Sequence, residues 1–571
     1  MGQKPPPPGR PPGPPGSPPI AGFSSVANVQ FNLADLFEAV AAEVPDREAL
    51  VLGAHGTAHR RLRFDELDAR ANRLAHVLHD RGIGPQDHVG LHLFNDLEHI
   101  EAMLAIYKLR AVAVNVNYRY TAEELRYLFA DADLAAVITE PELRAAVDEA
   151  QANVPTLVTV LERGDRYEAL LAAAPTTPVD VGPRSADDLY LLYTGGTTGM
   201  PKGVMWRHED IYFASLGGRG TPSQGIEPLR RPEDVRDRAR AEPPIRRRLP
   251  LCPLMHGGAM WIALQSLLSG GTLVLSTDRH FDAADALALL ATERVDLTMV
   301  IGDATARPLA DELERNGAAY DLSALQVIAS GGAIMSPAVK EQLQRLVPGT
   351  KVVDTFGASE TGGQGRLSRR SAGSTANPGA PRLVTDEHTA VFDDELRPIE
   401  PGRGQVGRLG RRGHIPFGYY KDPAKTAATF PVIDGVRWAV PGDMALVEDD
   451  GSITLLGRGA ATINTGGEKV FPEEVEGVIK SHPQVFDALV VGVPDDRFGQ
   501  KVVAVVAFRS EAHVNDDELA AHTKAHLSGY KVPREWVAVP ACQRTPTGKP
   551  DYAWAKAAAS TALGLAEPSM G

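Results

Sequence analysis

Apolar positions in the first third of the chain follow two rhythms. Leu33, Leu36, Phe37 and Val40 recur at helical spacing, and so do Phe64, Leu67, Leu74, Val77 and Leu78 before Gly82 stops that helix. Short β-like runs then take turns with helical ones. The pattern predicts strands over 88–93, 111–116, 135–139 and 156–161, with helices over 97–109 and 122–132 and another between the last two strands. Such alternation is the signature of a layered α/β domain with a largely parallel sheet. No repeat period is present.

Two stretches break the rhythm. The first 19 residues hold ten prolines with interspersed glycines, which predicts a polyproline-like tail and lacks the continuous apolar run of a secretory signal. Residues 219–248 hold nine arginines and five acids with few large apolar side chains. They predict a solvated loop whose positive charge suits an anionic ligand. Past 457–460 a smaller unit follows, with a helix over 472–479, strands over 489–493 and 502–508, a helix over 516–527 and a strand over 536–539. Pro472 suits a first helical position, and Glu473 and Glu474 favour the first turn. The resulting layout is a tail (1–27), a large domain (28–459), a small domain (460–560) and a flexible end (561–571).

Composition narrows the class. The 571 residues are 43% apolar and 23% charged, with a formal charge of −14. That balance gives no bulk attraction to nucleic acid or anionic lipid. Two distant cysteines, Cys252 and Cys542, support neither a disulfide scaffold nor a cysteine zinc site. No apolar run approaches the roughly 20 residues that span a bilayer. The expectation is a large cytoplasmic enzyme, with peripheral membrane association and homo-oligomerisation left open.

The strongest local signal is Tyr193-Thr-Gly-Gly-Thr-Thr-Gly-Met-Pro-Lys-Gly203, which leaves the apolar run 189–193. Gly195, Gly196 and Gly199 free the backbone to curl around an anion, while Thr194, Thr197 and Thr198 add hydroxyls and Lys202 a charge. This is polyphosphate chemistry. It is not a Walker A loop, because Lys202 follows proline and precedes glycine.

With that loop the chain resembles the adenylate-forming enzymes, which include acyl-CoA synthetases, and further segments match in the family's order. Pro253-Leu-Met-His-Gly257 resembles the motif beside the acyl pocket, Ser330-Gly-Gly-Ala333 the adenine-side loop, and Asp354-Thr-Phe-Gly-Ala-Ser-Glu360 the nucleotide and magnesium motif. Pro441-Gly-Asp443 resembles the ribose motif, Gly457-Arg458 the hinge and Pro546-Thr-Gly-Lys549 the catalytic lysine motif. The run from Gly457 to Glu476 is similar to a bacterial branch that includes sterol side-chain CoA ligases.

The resemblance implies an α/β fold: a large layered N-terminal domain with mixed sheets plus a small C-terminal α+β lid domain. It implies ATP, Mg²⁺ and coenzyme A, a small-molecule carboxylate and no nucleic acid. Gly331, Gly332, Ala333, Asp354, Thr355, Phe356 and Gly357 would surround the adenine, Asp354 accepting from its amine and Phe356 offering a flat face. Ser359 would meet the α-phosphate and Glu360 the metal. Asp443 and Arg458 would hold the ribose or phosphates. Lys549 would stabilise the transition state of adenylation. Ala460 stands at the hinge, where many members carry Asp or Lys. His256 reads equally as a gate between acyl and thiol channels or as a core histidine. Small residues at 257, 258, 362 and 363 suggest room for a medium, long or ring-bearing acyl group. A fatty acyl-AMP ligase and a non-catalytic nucleotide-binding module are the rival readings.

Overall fold

The structure, a computed structural model, describes residues 31–54, 59–196, 199–220, 226–241, 246–333, 335–368, 382–383, 386–458, 461–465, 468–495, 499–509, 514–527, 529–545 and 549–565. The proline-rich tail, Thr197, Thr198 and the hinge position Ala460 lie outside them.

Among the described residues the strands form three sheets. In the first, His88–His92, Val112–Asn115, Leu134–Thr139 and Thr159–Glu162 run parallel, and Leu189–Gly196 joins them parallel to Val112–Asn115. Gly199–Arg207 and Gly418–Tyr419 then add antiparallel edges. The second sheet centres on six neighbouring parallel strands, Glu48–Gly53, Thr272–Ser276, Arg247–Pro250, Leu297–Val300, Val327–Ser330 and Lys351–Ala358. It continues through antiparallel partners from Gly362–Ser368 to Val406–Arg412. The expected parallel order of the strands between 88 and 162 is thus present, and antiparallel edges make both sheets mixed.

Helices Leu33–Glu43, Phe64–His79, Leu97–Lys108 and Gly257–Leu268 contribute to one shared core. Every residue of Leu97–Lys108 is buried, so its charged members need partners. Lys108 finds two carboxylates, Glu38 at 2.5 Å and Asp68 at 2.8 Å.

The small C-terminal unit is a sheet buried on both faces. Ala488 and Val490 face the side of helices Pro472–Ile479 and Asp516–His526, while Leu489, Val491 and Val493 face helix Tyr552–Ala562. That division follows the two-residue period of the edge strand Val485–Asp495. Strands and helices here match the expected ones within a few residues.

Two expectations change. The 219–248 segment is not a solvated loop throughout: Asp234–Arg240 is a helix whose Val235 and Ala239 are fully buried, and Leu229 packs with them. Charge on one face hid an i, i+4 apolar pair on the other. The final helix also runs to Ala562, with Leu563 and Leu565 packed behind it, so the ordered end extends past residue 560.

Candidate active site

Between the shared core and the second sheet lies a cavity of about 1110 Å³. Its top is formed where the parallel strands end. There Gly331 and Gly332, Thr355, Phe356, Gly357 and Ser359 line it, together with Thr194, His256 and Lys549. Segments hundreds of residues apart thus meet at one place.

The phosphate motif closes a β-hairpin. Thr194 pairs with Lys202 and Gly196 with Gly199 across the antiparallel strands. Lys202 Nζ sits 3.3 Å from Asp422 Oδ2. Burial would lower its pKa, but the Asp422 carboxylate outweighs that and leaves the ammonium raised. Asn115 fixes the hairpin's root. Its side chain donates to the Tyr193 and Met255 carbonyls, each at 2.8 Å, and accepts from the Tyr193 N–H at 2.7 Å. One buried amide therefore ties the phosphate hairpin to the loop carrying His256.

His256 is the N-cap residue of helix Gly257–Leu268 and borders the cavity. The adenine-side loop follows strand Val327–Ser330. Gly332 adopts φ +77°, open to glycine, and a Cβ on Gly331 would collide with Met299. Ser330 Oγ donates to the Ala333 carbonyl at 2.7 Å and accepts from Gly302 N–H at 2.9 Å, holding the loop.

Along Lys351–Ala358 the side chains alternate. Val353 and Thr355 turn to the cavity, whereas Asp354 turns to the other face. There its carboxylate accepts from Met335 N–H at 3.0 Å and pairs with Lys340 at 3.2 Å. The structure does not bring Asp354 to the cavity wall; it braces the loop behind it. Phe356 both borders the cavity and packs against a satellite core. The turn after it is held by neighbours: Trp206 Nε1 donates to the Ser359 carbonyl at 3.0 Å, and Tyr419 OH donates to Glu360 Oε1 at 2.8 Å.

Asp443 is buried and pairs in register with Arg458 across strands Asp443–Val447 and Ile453–Arg458. The ribose-motif and hinge residues are thus cross-strand neighbours. Gly457, at φ +107°, leaves room for the Glu473 carboxylate of the small unit. Lys549 stands at the base of a turn bridged by Arg544 and Pro550, with Thr545 N–H donating to the Lys549 carbonyl at 2.8 Å.

Below this upper end the cavity deepens between a helix and a sheet. Gly257, Gly258, Trp261, Ile262, Gln265 and Leu268 present one face of their helix. Opposite them, Met299, Ala329 and Val353 lie side by side across the parallel strands. Of this lower lining the sequence had singled out only Gly257 and Gly258, and it had not singled out Asn115, Trp206 or Tyr419. Asn115 alone left a trace, as a polar residue inside the apolar run 111–116.

Among the described residues no cluster of three or more His, Cys, Asp or Glu side chains could hold a metal, and no helix is long and apolar enough to cross a membrane. Glu360 offers a single carboxylate, whose hard oxygens suit Mg²⁺ shared with substrate phosphates.

Known proteins place the chain. The family model described as AMP-binding enzyme matches residues 37–420, and that of the AMP-binding enzyme C-terminal domain matches 474–549. A 3-oxocholest-4-en-26-oate–CoA ligase from Rhodococcus rhodochrous is 45% identical over 546 residues, covering 92% of this chain and 95% of that one. The medium/long-chain-fatty-acid–CoA/3-oxocholest-4-en-26-oate–CoA ligase of Mycobacterium tuberculosis H37Rv is also 45% identical, covering 92% and 96%. Among solved structures, the anthranilate CoA ligase AuaEII superposes with a TM-score of 0.80 at 22% identity, over 94% of this chain and 99% of that one, a likeness of fold. Its motifs in order, its two-part architecture and these matches make the chain a member of the AMP-binding enzyme family.

Proposed function

We propose that the protein is an AMP-forming acyl-CoA ligase for medium or long-chain or ring-bearing carboxylic acids. The observation that carries this reading is the continuity of the cavity: a polar upper end ringed by the nucleotide motifs opens directly onto a deep, largely apolar lower part. A small acid such as acetate would leave that lower part unfilled. The relatives named above act on fatty and sterol side-chain acids, which supports the same assignment.

In this reading the acid's carboxylate oxygen attacks the α-phosphorus of ATP, pyrophosphate departs, and an acyl-adenylate remains. Lys549, at the cavity's upper end, stabilises charge on the transferring phosphoryl group and the incoming carboxylate. Ser359 lines the same cavity and would meet a phosphate oxygen. Glu360, steadied by Tyr419, would hold Mg²⁺, which supplies neutralising charge at the phosphates. Asp443 would accept from ribose hydroxyls. The thiol of coenzyme A then attacks the acyl carbonyl and AMP leaves. His256, at the channel, is placed to line the thiol's approach.

Two assays test the reading. ATP–pyrophosphate exchange driven by a long or ring-bearing acid, with thioester appearing only when coenzyme A is added, is the expected result. Adenylate that accumulates and ignores coenzyme A would instead indicate an acyl-AMP ligase. Nucleotide binding without exchange would indicate a non-catalytic module.

A further inference from the structure

The lower end of the cavity is not uniformly apolar. Arg248, Leu297, Val327 and Lys351 occupy one row across four neighbouring parallel strands, Leu297 pairing with both Arg248 and Val327, and Val327 with Lys351. All four line the cavity. This row lies two steps of the pleat below Met299, Ala329 and Val353, and four below Thr355, about 13 Å along the strands. The facing helix gives a similar measure: from its cap His256 to Ser269 is about 20 Å along the axis.

At that far end Arg248 is 92% buried, since its exposure is 8%. Among the described residues it has no carboxylate partner. Its Nη1 donates to Ser269 Oγ at 3.2 Å, and its buried Nε finds no acceptor. Burial pushes the guanidinium down to about 10, with only Asp296 opposing from a distance. An unpaired cation inside a protein is costly to keep. Nearby arginines behave differently: Arg238 is tied to the Gly217 and Glu227 carbonyls, and Arg219 to those of Ala214 and Gly363. Both are held by backbone carbonyls, while Arg248 keeps donor capacity at the cavity's end.

We infer that Arg248 selects acids carrying a neutral oxygen, a carbonyl or hydroxyl, at the end remote from the carboxylate, and that it donates hydrogen bonds to that oxygen. The inference rests on the large-acid reading above and adds a second polar anchor to it. With the carboxylate at Lys549 and the oxygen at Arg248, a rigid ring-bearing acid is held at both ends and a plain hydrocarbon chain at one.

The test compares kcat/KM for thioester formation from a sterol side-chain acid bearing a carbonyl on its distal ring with that from the analogue in which this carbonyl is CH₂. The wild-type enzyme is expected to prefer the carbonyl-bearing acid by about 10- to 100-fold, the range for a hydrogen bond to a charged group. Arg248→Met is expected to bring the ratio close to one. Should that variant not fold, Arg248→Lys, which loses Nε and the planar fork, is expected to reduce the ratio several-fold. A wild-type ratio within twofold, or a ratio unchanged in either variant, overturns the assignment of Arg248. Activation of neither acid overturns both this inference and the large-acid reading.

Discussion

The two ends of the cavity are built by opposite means. At the upper end, chemistry sits on short contiguous motifs: Gly331 and Gly332 side by side, Thr355 to Ser359 in one run, Lys549 on one turn. At the lower end, Arg248, Leu297, Val327 and Lys351 come from four strands that the sheet brings into a row. The upper end works through backbone conformation and fixed charges that any acid would meet. Along the lower wall, side chains differ in bulk and polarity, and only acids long enough to reach them meet them. Under the proposed function, reaction rests on residues local in sequence and selection on residues that the fold assembles.

The largest effect should come from the upper end. Lys549→Ala is expected to slow adenylate formation by about 10²–10³, equally for every acid, because the lost donor acts on the common phosphoryl centre. Thioester formation from supplied acyl-AMP should change little. ATP–pyrophosphate exchange across several acids checks this, and losses that vary with acyl length would break the division between the ends.

Gly258→Leu acts on the other side of that division. Its Cβ would stand 2.7 Å from Met299 Cε, inside the acyl cavity. Overpacking of about 1–3 kcal/mol should cut kcat/KM for long or ring-bearing acids by about 10- to 100-fold and affect short acids far less. A uniform loss would contradict it.

Tyr419→Phe removes the hydroxyl that donates to Glu360 Oε1. Up to about a tenfold rise in the Mg²⁺ concentration for half-maximal exchange is expected, given the worth of one hydrogen bond to a charged acceptor. An unchanged Mg²⁺ dependence would detach Glu360 from the metal.

The smallest effect concerns stability. Val235→Ala deletes two buried carbons from helix Asp234–Arg240, at about 0.8 kcal/mol each. A loss of about 1.5 kcal/mol in denaturant unfolding would mark the segment as part of the core, and no change would return it to solvent.

How far the sequence could be read follows the same division. The run Thr355–Ser359 lines the cavity as one stretch, so neighbours in sequence are neighbours there, whereas of the described residues of the phosphate hairpin only Tyr193 and Thr194 reach that wall. Asp354 was misplaced by the same habit: it stands beside Thr355, yet a strand sends the two to opposite faces. Arg248 was invisible, since its two arginine neighbours, Arg246 and Arg247, suggested solvent and nothing local tells which of the three a parallel sheet will bury. The helix around Val235 spans only two turns, too short for its period to rise above the charges. Asn115 and Tyr419 matter through hydrogen bonds across long sequence separations, which no spacing encodes.

The most direct test of the account is the acyl-length profile of the wild-type enzyme: kcat/KM for coenzyme A thioester formation from acetate through hexadecanoate to a sterol side-chain acid. A cavity that reacts at one end and selects along its length predicts a rise from acetate toward the long and ring-bearing acids, each added methylene contributing up to about 0.8 kcal/mol while it finds apolar wall. A profile that peaks at acetate, or stays flat with length, would contradict it.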